Sequence, residues 1–127
     1  MLLIRNEMDH RDAWPQEKHQ QFLKACERYI YKLKKNGNLK IAQPLVREGT
    51  MVSSSMDAWR NGPFNENKEV IVGYYHILAN DINEAAEIAK QNPEFEFSTT
   101  ARVEVRPIKV KEETTGFEYS GERAESH

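Results

Sequence analysis

Tyr74 and His76 stand two residues apart in "VIVGYYHIL", and Glu104 and Arg106 stand two apart in "ARVEVRPIKV". In an extended chain, residues two apart share a face, so each pair is a small polar group on one side of a strand. A histidine beside a tyrosine, with a carboxylate and a guanidinium nearby, is the equipment of proton transfer on a small organic molecule. If the two strands are neighbours, the four residues line one pocket walled otherwise by Val and Tyr side chains, a common construction for small-ligand sites. His76 and Glu104 are then the candidate proton carriers, and Tyr74, Arg106 and Phe64 the candidate binding residues. The plainer reading is a core or interface histidine, with Glu104 and Arg106 serving as an ion-pair element across strands.

Other chemistries find less to work with. The four histidines, His10, His19, His76 and His127, show neither an HExxH pattern nor a facial-triad spacing, and the single cysteine, Cys26, excludes a multi-cysteine metal site and an internal disulfide. Asp9, His10 and Asp12 cluster in a loop, where solvation is the ordinary fate of such residues. Cys26 falls on the apolar face of a helix, the setting of an inert thiol. No Gly-x-Ser-x-Gly elbow occurs, and "SSS" at 53–55 reads as a turn. No cofactor and no metal are expected.

The elements that must position these groups follow from periodicity. "MLLIRN" reads as a strand. Pro15 suits the first position of a helix, and Phe22, Ala25, Cys26, Tyr29, Ile30 and Leu33 recur at three and four, giving about twenty helical residues that Gly37 stops. The stretch 39–62 reads as short strands joined by hairpins, with Pro44 marking an edge or bent strand. Glu69 to Leu78 is apolar on both faces and belongs inside a sheet, with Val70, Val72, Tyr74, His76 and Leu78 on one side. "NDINEAAEIAKQNP" is a second helix with Asp81 as N-cap and Glu84 as its capping-box partner, ended by Asn92-Pro93. A last strand lies within 101–110.

Strand, helix, strands, helix, strand is an α+β order whose simplest solution is a ferredoxin-like split βαβ unit, an antiparallel sheet with helices on one face. The domain is expected over 1–110, with a polar tail at 111–127 that has few apolar anchors. Two helices cover one face of a sheet, so burial of the other against a second copy predicts a symmetric homodimer. The 18 basic and 20 acidic residues balance to a net charge of −2 with no basic stripe, which argues against nucleic acid. The longest apolar run is too short to cross a membrane, and the start of the chain lacks a signal pattern, so the expected compartment is the cytoplasm.

"NGPFNENKE" at 61–69, "GYY" at 73–75, "INEAAEIAK" and "VEVRP" at 103–107 together resemble the YCII-related family, in its Asp-Gly-Pro-Phe branch, from Met1 to about Lys109. The resemblance implies a dimeric α+β barrel with a pocket near the sheet. It also implies kinship with enzyme-like relatives that carry a histidine and aspartate pair, some of them joined to or beside sigma factors. Here Asn61 stands where the branch has its leading aspartate, and Cys26 aligns with the histidine of those relatives. An amide supplies no general base, so that pair does not carry over. Within the motif, Asn61-Gly62-Pro63 is a turn and Phe64 an apolar anchor for the core, the interface or a ligand. The rival to a ligand-binding homodimer is a non-catalytic interaction module with a link to transcriptional regulation.

Overall fold

The computed structural model describes residues 1–7, 14–56, 58–63 and 69–119. The strands are β1 (Leu2–Asn6), β2 (Leu39–Pro44), β3 (Thr50–Ser55), β4 (Ala58–Pro63), β5 (Val70–Ile77) and β6 (Arg102–Val105). The helices are α1 (Gln16–Lys35), α2 (Ile82–Lys90) and α3 (Pro93–Phe97). Four strands form one sheet in the order β2-β5-β1-β6, and every neighbouring pair is antiparallel. This is the ferredoxin-like arrangement, with the two-stranded β3–β4 hairpin inserted between its second and third sheet strands.

Alternation along β1 sends Leu2, Ile4 and Asn6 to the helix side, where Leu2 and Ile4 meet Tyr29 and Leu33 of α1, Ala89 of α2, and Tyr75 and Ile77 of β5. Leu2 and Asn6 are fully buried. Both long helices end as their sequences direct. Gly37 takes φ +75°, and the N–H groups of Gly37 and Asn38 return to the carbonyls of Lys34 and Leu33, closing a Schellman turn. Asp81 Oδ1 accepts the Glu84 N–H at 2.8 Å, as an N-cap should. The Glu84 carboxylate, expected to reach back to Asp81, bonds Asn80 instead.

Several details depart from the sequence reading. The serines at 53–55 and Asn61-Gly62-Pro63 read as turns, but the serines close β3, and Asn61, Gly62 and Pro63 end β4 opposite Val52, Met51 and Thr50, with no positive φ at Asn61 or Gly62. That reading has β2 begin a run of hairpins, but β2 pairs with β5, and only β3 and β4 form a hairpin. Such an edge position tolerates Pro44. Alternation alone puts Val72 on one side with Tyr74 and His76. The β1–β5 register shifts between Ile4 and Arg5, so Ile4 faces Gly73 and Arg5 faces Ile71; the unpaired Val72 turns to the helix side. Finally, Asn92-Pro93 ends α2 and at once starts α3: Asn92 Oδ1 accepts the Glu94 N–H at 2.9 Å, with Pro93 at the first helical position. The last strand stops at Val105, and a bridge joins Lys111 to Glu118 beyond it. Phe64 and the Asp9, His10 and Asp12 group lie outside the described residues, as does 120–127.

A cleft between the first helix and the sheet

The helix side of the sheet is not filled to its edge. Between α1 and the β2–β5 half of the sheet lies a cleft of about 310 Å³, walled by Ile4, Phe22, Ile30, Ala42, Val72 and Tyr75 among others. That volume sits at the lower end of the range for small-molecule sites. Two local features hold it open. The bulge brings Val72 and Gly73 together into the wall, and Gly73 lies so close to β2 that an added Cβ would stand 3.1 Å from the Gln43 carbonyl oxygen and 3.4 Å from Pro44 Cα. Phe22 belongs to an edge-to-face cluster with Trp14 and Phe97. Aromatic contacts of this kind fix ring orientation.

One end of the cleft is polar. Glu94 is buried and accepts Asn6 Nδ2 at 2.8 Å, while Asn6 Oδ1 accepts from Thr100 Oγ1 at 2.6 Å and from Ser98 Oγ at 3.3 Å. This network ties α3 and the residues after it to β1. Asn92 is only 3% exposed and lines the cleft; its oxygen is used by the α3 cap, and its Nδ2 has no hydrogen-bond partner among the described residues. Burial pushes the Cys26 thiol up to about 12, reinforced by the negative charges of Glu94 and Glu27. Burial likewise raises the phenols of Tyr29 and Tyr75. Asn92 tempers both of those rises, although its amide N–H completes no bond to either ring. Tyr29 donates to the Ile88 carbonyl at 2.8 Å. The cleft therefore presents a neutral thiol, a neutral phenol and an unmet amide donor at neutral pH.

Those raised values have a consequence for stability. In the unfolded chain the Cys26 thiol ionises near its ordinary value of 9.0 and the two tyrosines near 10.0, whereas the folded chain keeps all three protons to higher pH. The unfolded state thus binds fewer protons above pH 9, and stability falls as pH rises from there. Urea midpoints at pH 8 and pH 10.5 should show a clear drop, smaller in a Cys26→Ala variant; equal midpoints would contradict the burial of these groups.

Of the residues singled out from sequence, Tyr74 and Glu104 lie on the opposite face. Tyr74 and Glu104 both pair with Leu3, one from each side, so β1 separates their strands, which the sequence alone allows to be neighbours. Two interstrand spacings, about 10 Å, lie between them. Glu104 is bound by Arg5, with Nε at 3.0 Å and Nη2 at 2.9 Å, and Arg106 approaches it at 3.7 Å. On the same face Arg102 grips Glu69 through two bonds of 2.7 Å and holds its carboxyl below the ordinary range. His76 and Arg106 flank the start of β1 in the same way, and both line a second groove of about 420 Å³ at the end of the sheet with Met1, Asn80, Ile82 and Ile108. Tyr74 and Glu104 do not line it. Among the described residues no three His, Cys, Asp or Glu side chains group as metal ligands, and no helix is long and apolar enough to cross a membrane.

Asn92 and Glu94 are the site residues that sequence reasoning misses, because Asn92-Pro93 reads there only as the stop of the second helix. A usable signal exists nonetheless: Asn-Pro-Glu is an N-cap, a first-turn proline and a first-turn acid, which announces a new helix. No curated protein matches the sequence. Residues 1–109 match the YCII-related domain, more than half of the chain, and with the ferredoxin-like sheet already established the protein belongs to the YCII-related domain family.

Proposed function

We propose that the protein is a homodimer that holds a small organic molecule in the cleft between α1 and the sheet. One observation carries the ligand: a preformed cavity whose polar end offers a buried amide N–H with no partner among the described residues. Buried donors are almost always satisfied, and a bound acceptor is the economical way to satisfy this one. The dimer is supported by the other face of the sheet. Leu3, Ile71 and Tyr74 are half-buried there and Ile41 is 46% exposed, an apolar strip between the charged Arg5 and Glu104 row and the sheet edge. Face-to-face packing of two such sheets would cover the strip.

A second reading places proton chemistry in the groove at the end of the sheet, because His76 and Arg106 share its lining. There His76 carries the proton and Arg106 holds an anionic substrate group, with Glu104 orienting Arg106 across 3.7 Å.

A thermal-shift screen of small metabolites separates the two readings, since a ligand selective for the folded state raises its melting temperature. Leu23→Trp, at a half-exposed position on the cleft wall, narrows the cleft without touching the core. A stabilising ligand should lose its effect in Leu23→Trp and keep it in His76→Gln. The reverse pattern supports the groove, and a library without a single hit contradicts both. Light scattering on the same samples should report twice the monomer mass; a monomer at micromolar concentration removes the dimer.

A further inference from the structure

The chemistry of the cleft narrows what it takes. Among the described residues its lining contains two acids, Glu27 and Glu94, and no lysine, arginine or histidine. A carboxylate or phosphate entering it would give up its hydration beside two acids and find no counter-cation among the described lining residues, a combination that costs more than apolar contact returns. The polar groups inside are of a different kind. Asn92 is 3% exposed and its Nδ2 donor is unmet among the described residues, and the Tyr75 hydroxyl, which also lines the cleft, both donates and accepts. Around them the wall is apolar: Ile4, Phe22, Ile30, Ala42 and Val72.

We infer that the ligand is an uncharged, mostly apolar molecule bearing one carbonyl or hydroxyl oxygen, which accepts the Asn92 amide N–H. Its carbon body fills the wall between α1 and β5. A protonated amine would be drawn by the two acids, but it carries no lone pair and would leave Asn92 facing a positive charge. This inference rests on the cleft being the ligand site.

Four probes of similar size test it by titration calorimetry on the intact protein: acetophenone, ethylbenzene, benzoate and benzylamine. Acetophenone is expected to bind about tenfold more tightly than ethylbenzene, the value of one buried hydrogen bond, and benzoate not measurably. Asn92→Ser keeps an oxygen to cap α3 but removes the N–H, and its hydroxyl, one bond closer to the backbone, does not reach the position of Nδ2. In it acetophenone should fall to the affinity of ethylbenzene, whose own binding is unchanged. Benzoate or benzylamine binding as tightly as acetophenone overturns the inference, as does an acetophenone preference that survives Asn92→Ser. The ranking in the unaltered protein decides the matter even if Asn92→Ser does not fold. If ethylbenzene binds and acetophenone gains nothing, the cleft stands and the assigned ligand class fails; if none of the four binds, the cleft itself fails and the inference with it.

Discussion

Asn6→Asp is expected to destabilise the protein by about 3 kcal/mol or more at neutral pH, although the two side chains have the same shape. The reason is the company Asn6 keeps. It is fully buried, its Nδ2 donates to Glu94 Oε2 at 2.8 Å, and its Oδ1 accepts from the hydroxyls of Thr100 and Ser98. An aspartate preserves the accepting oxygen and turns a second one toward a buried carboxylate. Taking one more uncompensated charge out of water costs several kcal/mol by itself, and the neighbouring carboxylate adds like-charge repulsion (about 3 kcal/mol or more together). The penalty is also pH-dependent. Two carboxylates sharing a buried site cannot both ionise readily, so the pair titrates above the ordinary value of about 3.9 for an unfolded aspartate. A raised folded-state value means stability is lost as pH rises through it and returns as pH falls toward the unfolded value. Urea unfolding of variant and parent at pH 7 and pH 4.5 should show the deficit shrinking at the lower pH. A deficit under about 1 kcal/mol, constant with pH, would mean the network does not hold α3 to the sheet.

Leu2→Ala is expected to cost about 3–4 kcal/mol, within the span seen when a fully buried leucine is truncated. Leu2 has no exposure, pairs with Tyr75 on β5 and Val105 on β6, and packs in a cluster that joins both long helices to the sheet. Close-packed surroundings do not collapse fully around the missing carbons, so the cavity adds to the lost transfer energy. This effect contains no titrating group, so its size should be the same at pH 7 and pH 4.5. Leu2 does not line the cleft, and ligand affinity of the folded fraction should be unchanged. A loss below about 1 kcal/mol would place the core elsewhere.

Much of this fold is written locally. The three-and-four spacing from Phe22 to Leu33 fixes α1 and its buried face, and all of Phe22, Ala25, Tyr29 and Leu33 are buried in the structure. The two-sided apolar character of β5 places it inside the sheet, between β2 and β1. Leu2, Ile4 and Asn6 share one face by simple alternation, so a polar residue continuing a buried row is itself a sign of a buried polar network. The bulge at Val72 is not legible, because register belongs to a pair of strands and not to either one. For the same reason β2 alone cannot reveal that its partner is β5.

The cleft lies beyond sequence reading for a related cause. Its wall gathers Phe22 and Cys26 from α1, Ala42 from β2, Val72 and Tyr75 from β5, and Asn92 and Glu94 from the α2–α3 junction. Each looks ordinary in its own segment. Periodicity puts Cys26 on an apolar helix face, and the structure adds that this face borders a cavity in which burial keeps the thiol protonated. Alternation groups Tyr74 with His76 and Glu104 with Arg106, but β1 separates the two pairs and Arg5 occupies Glu104.

A small molecule bound in the cleft between α1 and the sheet is the central claim. Isotope-filtered nuclear Overhauser spectroscopy on the protein saturated with acetophenone tests it directly. The prediction is contacts from the bound ring to the methyl groups of Ile30 and Val72 and to the ring of Tyr75. Contacts to Ile82 and Ile108 at the end of the sheet, or no intermolecular contacts at saturation, would contradict it.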